Sequence, residues 1–276
     1  MLCKVNNHDV TILVNSCDLY EDAWYPFFKL LQIQWPEAQK YDMILSTQTK
    51  KFNCDFLDIK TIASGDKPWS TRIINCLNHI QSKYVLYFLE DEFLQQPVNI
   101  EWWEKMLDFM EENADTGVIV VRHSPKQTKP FDEDFFPREE LSKEYRIVGM
   151  AALYRKDYLL KLLRKHESVW EFEYYASKRS FKYSEKVLQY NNRNPEVFVY
   201  NDELESGIGI KYEKWLPKNK ELFEKYGIKV DFENLGVYYG DSPPEKNQST
   251  ESRVIKKIQK LKKNTNKRIR ALRSKR

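Results

Sequence analysis

Short apolar runs of strand length alternate along the chain with segments of helical periodicity. Residues 10–14 (VTILV) and 84–89 (YVLYFL) are continuous apolar runs, which is typical of strands buried on both faces of a parallel sheet. Between and after them, apolar residues recur every three or four positions, as in 24–35, 69–82 and 100–113. This alternation predicts an α/β fold, with a mostly parallel sheet flanked by helices and joined by right-handed crossovers.

The rest of the chain continues the same pattern, apart from one long loop. Residues 123–146 are rich in proline and charge, and a loop of this length suggests a function or local disorder. Further strands are expected around 43–45, 56–59, 118–121, 148–154 and 197–200, and further helices over 156–165, 169–180 and 218–226.

The net charge of +4 is divided unevenly between two parts of the chain. Residues 245–276 contain 13 Lys/Arg and 2 Asp/Glu, a net charge of +11, so the first 244 residues carry −7. We therefore predict a globular domain over 1–244 and a basic C-terminal tail over 245–276. In the tail, Val254, Ile258, Leu261 and Leu272 fall at helical spacings among the basic residues, which indicates a cationic amphipathic helix.

Such a helix suits an anionic membrane surface, which is the role we favour for the tail. Docking on the acidic domain and a disordered tail are the alternatives. Nucleic-acid binding is disfavoured because the tail has no aromatic residue for base stacking.

Several classes of protein are disfavoured by composition. No apolar run approaches the roughly 20 residues that span a bilayer, and the first residues lack the apolar segment of a signal peptide. The four cysteines form no CxxC pair, and the four histidines share no ligand spacing, which argues against a disulfide scaffold and a zinc module. We therefore expect a cytoplasmic protein, peripheral at the inner face of the cell membrane through its tail.

Two polar loops follow the predicted strands at the edge where α/β proteins bind ligands. One is Asn15-Ser16-Cys17-Asp18, and the other is Glu90-Asp91-Glu92. Three consecutive carboxylates repel one another, but a divalent cation between them makes the cluster favourable, and it can neutralise a diphosphate. The alternative is that the acidic triplet simply caps the following loop at the surface.

Four segments carry a resemblance to a known family. They are "ILVNSCDLYEDAWYPFFKLLQIQWPE", "GDKPWSTRIINCLNHIQSKYVLYFLEDEF", "VWEFEYYAS" and "GIGIKYEKW", in this order over about 10–240. Together they resemble nucleotide-sugar glycosyltransferases of the GT-A fold, in particular bacterial enzymes of capsule and surface-polysaccharide synthesis. The second segment is the most specific, since it resembles the family's helix with Trp and Arg, then a buried strand, then an Asp-x-Asp-like cluster.

The resemblance implies a nucleotide-sugar pocket and a metal site. The usual Asp-x-Asp is here Glu90-x-Glu92 around Asp91, so the ligand of a Mn²⁺ or Mg²⁺ ion is Asp91 alone or a Glu, and some GT-A enzymes need no metal. Arg72 would bind a phosphate or the uridine side of the donor, with a surface ion pair as its alternative role. The residues expected at the nucleotide-sugar are Asn15, Ser16, Asp18, Ser64, Trp69, Arg72 and Asp91, and those expected at the metal are Glu90, Asp91 and Glu92.

The resemblance implies transfer with inversion, which needs a carboxylate that deprotonates the acceptor hydroxyl. The candidates are Glu173 and, second, Glu171, at the start of the helix predicted over 169–180. Acidic residues in a first helical turn also interact favourably with the helix dipole, so an ordinary capping role is the alternative. A further carboxylate cluster, Asp202-Glu203-x-Glu205, is the next candidate for the base.

These observations favour a glycosyltransferase that moves a sugar from a nucleotide-diphosphate donor to a glycan, lipid-linked if the tail binds a membrane. One alternative is a sugar nucleotidyltransferase, which is weakened because residues 15–18 are not the glycine-rich, basic loop of that class. A non-catalytic glycan- or nucleotide-binding protein, or scaffold, is the other alternative.

Overall fold

The computed structural model describes residues 9–121, 135–137, 145–190, 194–200 and 208–240. Its centre is an eight-stranded sheet with the strand order β3-β2-β1-β4-β7-β5-β8-β6. The strands of this sheet are β1 (Val10–Asn15), β2 (Asp42–Thr47), β3 (Ile59–Ala63), β4 (Tyr84–Leu89), β5 (Thr116–Val120), β6 (Phe135–Pro137), β7 (Ala152–Arg155) and β8 (Lys186–Tyr190). A separate hairpin consists of β9 (Ile210–Lys211) and β10 (Lys214–Trp215).

Six helices flank the sheet. They are α1 (Trp24–Gln34), α2 (Trp69–Asn78), α3 (Ile100–Glu112), α4 (Lys156–Leu162), α5 (Val169–Ser180) and α6 (Lys218–Lys225), all within the described residues. The predicted α/β class, with a mostly parallel sheet between helices, is confirmed. The basic tail over 245–276 lies outside the described residues. Within them, no helix is both long and apolar enough to traverse a bilayer.

Two strands of the large sheet, β7 and β6, run against the direction of the other six. β3, β2, β1 and β4 are mutually parallel, and β5 is parallel to β8. β7 is antiparallel to both of its neighbours, β4 and β5, and β6 is antiparallel to β8. The carboxyl ends of the parallel strands therefore share one edge of the sheet, and the amino end of β7 lies on that same edge.

Each buried strand contributes side chains to two cores, one on each face of the sheet. In β1, Ile12 and Val14 belong to the core under α1, α3 and α6, whereas Leu13 belongs to the core under α2, α4 and α5. This alternation follows from the two-residue period of a strand, and it explains why β1 is apolar at consecutive positions.

Residues 197–200 are a correction to the expected strands. Val197, Phe198 and Tyr200 are buried, but no strand forms there. The backbone carbonyls of Val197 and Val199 instead accept hydrogen bonds from the amides of Asn99 and Gln95, in the connection between β4 and α3. The strand at this side of the sheet is β8, which the apolar pattern did not single out.

Candidate active site

The strand order reverses between β1 and β4. β1 leads to β2 and β3 on one side, whereas β4 returns to pair with the other side of β1. In open α/β sheets, ligands bind in the crevice outside the carboxyl ends of the strands at such a switch point. Asn15 and Leu89 are register partners at the last positions of β1 and β4, so residues 15–18 and 90–92 face each other across this crevice.

Ser16 connects the loop after β1 to three other elements. Its amide donates to the carbonyl of Ser46 in β2 at 3.0 Å, and its hydroxyl accepts from Nε1 of Trp24 at the start of α1, at 2.6 Å. Its carbonyl accepts a hydrogen bond of 2.6 Å from the guanidinium of Arg72 in α2. These contacts fix the position of the loop and of the arginine relative to each other.

Asp18 orders the loop after β2. Its carboxylate accepts hydrogen bonds from the backbone amides of Gln48, Thr49 and Lys50 and from the Thr49 hydroxyl. Burial would raise the pKa of the Asp18 carboxyl, but these hydrogen bonds outweigh it and hold the pKa below its usual range. Asp18 therefore lies at the rim of the crevice, where its carboxylate is occupied by protein amides.

Among the buried polar side-chain atoms that have no hydrogen-bond partner in the described part of the chain, two belong to Arg72 and Asn15 at the switch point. They are Nε of Arg72, whose side chain is 6% exposed, and Oδ1 of Asn15. Burying an unpaired donor or acceptor costs roughly 1–3 kcal/mol, so such atoms call for an explanation. A bound ligand that accepts from Arg72 and donates to Asn15 would supply both missing hydrogen bonds.

The three carboxylates of the acidic triplet have different surroundings. Glu92 is 1% exposed, and its oxygens accept from the amides of Leu89 at 2.8 Å and Ala151 at 3.0 Å. Oδ2 of Asp91 accepts from the amide of Ile210 at 3.1 Å. Glu92 thus joins β4 to the segment that enters β7, and Asp91 joins the same loop to the small hairpin.

Glu90 is the member of the triplet whose burial is only partly offset by its surroundings. Burial, and next the charge of Asp91, raise the pKa of its carboxyl well above the usual range, while the guanidinium of Arg72 acts in the opposite direction. Burial and Glu90 likewise raise the pKa of the neighbouring Cys17 thiol to about 11, so this cysteine is not an activated nucleophile.

The triplet does not fit a three-carboxylate metal site. Among the described residues, no group of three or more His, Cys, Asp or Glu side chains is arranged to hold a metal ion. The reason is visible for Asp91 and Glu92, whose oxygens are directed at backbone amides of different segments. We therefore assign no step of the chemistry to a metal held by Glu90, Asp91 and Glu92 together.

Ser64 and Trp69 lie at the end of β3 and the start of α2. The Ser64 hydroxyl accepts from Nδ2 of Asn75 at 2.8 Å, and its amide donates to the carbonyl of Thr47. Trp69 is buried in the core under α2, with its ring 5.0 Å from that of Phe172 in α5. The structure therefore places Trp69 in the core, one helical turn before Arg72.

The two candidate bases lie on α5 in different settings. Glu171 forms a capping box with Ser168, because its carboxylate accepts from the Ser168 amide and hydroxyl. Oε1 of the half-buried Glu173 accepts from the amide of Gly149 at 2.8 Å. Gly149 lies two residues before Ala151, the partner of Glu92, so Glu173 reaches the same edge of the sheet as the triplet.

Two further residues at the crevice were not singled out from the sequence. Burial, and next the charge of Glu90, raise the pKa of the Tyr20 phenol, and Cys17, Glu213 and Asp91 also contribute. Tyr20 follows Asp18 by two residues, so its position in the same loop was an available signal. Glu213 is 122 residues beyond Asp91, and only the fold brings its charge to this side of the molecule.

We expect Glu92→Gln to lower the free energy of unfolding by about 1–3 kcal/mol. The new side-chain amide group would face one of the two backbone amides that Glu92 now accepts from, so two donors would oppose each other. Urea denaturation monitored by circular dichroism measures this effect. The control is Glu104→Gln, which breaks an exposed ion pair with Lys40 and should cost about 1 kcal/mol or less. Equal effects of the two substitutions would contradict the structural role of Glu92.

Comparisons with known proteins give only distant similarities. No family model matches the chain, and neither does any curated protein. Two solved structures of S. aureus TarS 1-349 each have a TM-score of 0.46, and each match covers 69% of this chain and 59% of TarS 1-349. The first is 10% identical to this chain, and the second, a complex with UDP, is 11% identical. The bifunctional IspDF from Campylobacter jejuni has a TM-score of 0.33 and 15% identity, and covers 54% and 41% of the two chains. The chain thus spans less than two thirds of each of these structures, and the functional argument rests on the site itself.

Proposed function

We propose that this protein is a glycosyltransferase that binds a nucleotide-diphosphate sugar in the crevice between β1 and β4. The observation that carries the proposal is the unpartnered pair of buried atoms at the switch point, Arg72 Nε and Asn15 Oδ1. A diphosphate accepts hydrogen bonds from a guanidinium, and a base or ribose supplies the donor that an amide oxygen needs.

The same groups suit the departure of a nucleoside diphosphate during sugar transfer. A guanidinium held by the Ser16 carbonyl is preorganised, so it can stabilise the negative charge that develops on the leaving diphosphate. The likeness of residues 65–93 to the corresponding GT-A segment supports the same function.

The direct test is to measure binding of UDP and turnover of UDP-sugars. We expect UDP to raise the melting temperature of the full chain, because a ligand that binds only the native state stabilises it. We also expect release of UDP from at least one UDP-hexose in the presence of a sugar acceptor. The assays are run with and without Mn²⁺ and Mg²⁺. A chain that binds neither UDP nor another nucleoside diphosphate would contradict the proposal.

Glu173 is the proposed base of this reaction. We expect Glu173→Gln to leave UDP binding intact and to lower kcat roughly 100-fold or more, since a positioned general base contributes about that much. The matched control is Glu171→Gln on the same helix, which keeps an acceptor for the capping box and should change stability by about 1 kcal/mol or less and leave the rate unchanged. Measuring kcat and UDP affinity for both variants shows which of the two glutamates is the base. An unchanged kcat in Glu173→Gln would exclude Glu173.

A nucleotide-binding protein without transferase activity is the second candidate. The observation in its favour is that the carboxylates of Asp91 and Glu92 accept hydrogen bonds from protein amides, as structural side chains do. A chain that binds UDP but turns over no donor with any acceptor, with or without a divalent cation, would favour this candidate.

Three parts of the proposal depend on partners. We propose a glycan, lipid-linked, as the acceptor, and an anionic membrane surface as the binding partner of 245–276. The third is a Mn²⁺ or Mg²⁺ ion as an optional cofactor. All three stay predictions, and the tail lies outside the described residues.

A further inference from the structure

The β9–β10 hairpin has an unusual turn. Lys211 and Lys214 are paired, and the two residues between them, Tyr212 and Glu213, both have positive φ angles, of 53° and 61°. Two positive φ angles in a two-residue hairpin loop are the type I′ pattern, which strongly favours Asn-Gly. Left-handed conformations cost non-glycine residues roughly 1–2 kcal/mol each, so a tyrosine and a glutamate are costly choices here.

The turn carries an aromatic side chain that is exposed to solvent. Tyr212 is 39% exposed, and its ring lies 5.4 Å from the ring of the half-buried Tyr238, with 61° between the two ring planes. Nζ of Lys211 lies over one face of each ring, 5.6 Å from the centroid of Tyr212 and 5.9 Å from that of Tyr238. The surface therefore combines two aromatic rings with an ammonium group, and Glu213 adds a carboxylate beside them.

The base of the hairpin is fixed to the candidate active site. The amides of Gly209 and Ile210 donate to the backbone carbonyl and the carboxylate of Asp91, at 2.7 Å and 3.1 Å. Trp215 is fully buried, with its ring 6.1 Å from that of Phe93 in a stacked arrangement. A Cβ at Gly209 would clash with the same Phe93 ring, so the hairpin and the loop after β4 are closely packed.

The tip of the hairpin also acts electrostatically on the crevice. Glu213 is among the charges that raise the pKa of the Tyr20 phenol, after burial, Glu90 and Cys17. Tyr20 belongs to the segment that follows β1, on the opposite side of the acidic triplet from α5. The aromatic surface thus stands beside the crevice, at its rim.

We propose that Tyr212 and Tyr238 form a platform on which a pyranose ring of the acceptor glycan stacks, with Lys211 and Glu213 hydrogen-bonded to its hydroxyls. A sugar ring has an apolar C–H face and a polar edge, which matches aromatic rings bordered by charged groups. Strained backbone that persists beside a site indicates function, because selection for stability alone would favour Asn or Gly at position 212. The identification of the sugar as the acceptor rests on the proposed transferase function.

The test uses a variant that removes the ring while suiting the turn. Tyr212→Asn should fold as well as the wild-type chain or better, because Asn tolerates the left-handed conformation. The probes are methyl glycosides of glucose, galactose and N-acetylglucosamine, followed by saturation-transfer NMR on the full chain. We expect at least one glycoside to bind the wild-type chain, Tyr212→Phe to keep this binding, and Tyr212→Asn to weaken it roughly tenfold.

Phe181→Ala is the control, since Phe181 is an exposed aromatic residue after α5, near the amino end of β8. It should leave glycoside binding unchanged. Equal binding by Tyr212→Asn and the wild-type chain, or no glycoside binding while UDP binds normally, would overturn the platform and leave the proposed function standing. A large loss of UDP affinity in Tyr212→Asn would also overturn it, because the ring would then serve the nucleotide. Glycoside binding that depends on Tyr212 in a chain that binds no nucleoside diphosphate would support the platform and contradict the transferase.

Discussion

Replacing Arg72 with alanine is expected to weaken UDP binding by roughly 10- to 100-fold, the equivalent of one or two charge-assisted hydrogen bonds. The guanidinium is buried, donates to the Ser16 carbonyl at 2.6 Å, and has an Nε atom that no described residue satisfies. The same change is expected to lower the free energy of unfolding by about 1–3 kcal/mol, because the Ser16 carbonyl loses its hydrogen bond and the buried Glu90 loses the influence of the guanidinium. Isothermal titration calorimetry with UDP and urea denaturation measure the two effects.

The two effects of Arg72→Ala are separated by a double variant. Arg72→Ala combined with Glu90→Gln removes both buried charges, so it should recover much of the lost stability. It should not recover UDP affinity, because the hydrogen-bond donor is still missing. Arg164→Ala is the control, at an exposed arginine that donates only to carbonyls at the end of α4, and it should leave UDP affinity unchanged and cost about 1 kcal/mol or less of stability. Normal UDP affinity in the double variant would remove Arg72 from the binding site.

Replacing Glu90 with glutamine alone is expected to stabilise the protein at neutral pH. Burial raises the pKa of this carboxyl in the folded state above its value in the unfolded chain. The unfolded chain therefore releases the proton first, and stability falls as the pH rises from the unfolded pKa to the folded one. At a pH above both pKa values, the free energy of unfolding is lower by about 1.4 kcal/mol for each pH unit that separates the two pKa values. Glutamine cannot ionise, so the variant avoids the loss.

The measurement is the difference in unfolding free energy between Glu90→Gln and the wild-type chain, from pH 4 to pH 8. We expect the difference to be small near pH 4 and to grow in favour of the variant with rising pH. Taking the difference matters because Asp18, with a lowered pKa, contributes the opposite trend in both chains. Glu224→Gln, at an exposed carboxylate, is the control for the loss of one negative charge from the surface. A flat difference for Glu90→Gln would show that its charge is compensated in the folded state.

The position of the candidate site was accessible from the sequence. The continuous apolar runs before Asn15 and Glu90 predict buried parallel strands, and the ends of such strands share one edge of the sheet. The helical period of 69–78 also places Arg72 near the start of a helix between them. Local signals were sufficient here, because each of these elements is specified by residues close together in the chain.

The partners of the polar side chains were not accessible in the same way. Glu92 bonds to the amide of Ala151, 59 residues away, and Asp91 to that of Ile210, 119 residues away. Such pairings depend on strand order, and one sequence with several short strands permits many orders. The hairpin turn was also missed because Tyr212 and Glu213 lack the Asn-Gly signal of a type I′ turn. The opposite error concerns 197–200, where a strand was predicted because the residues are apolar, whereas these residues are buried without forming a strand.

The reversed direction of β7 has a consequence for how this protein can be altered. β5 ends at Val120 on the crevice edge, and β7 begins at Ala152 on that same edge because it runs antiparallel to β5. The connection between them therefore leaves and re-enters the sheet beside the crevice. The last residues of this connection, 147–151, contact the candidate site, because the amides of Gly149 and Ala151 donate to Glu173 and Glu92. For engineering, substitutions in 147–151 are therefore the way to alter this edge of the crevice while β5 and β7 keep their register.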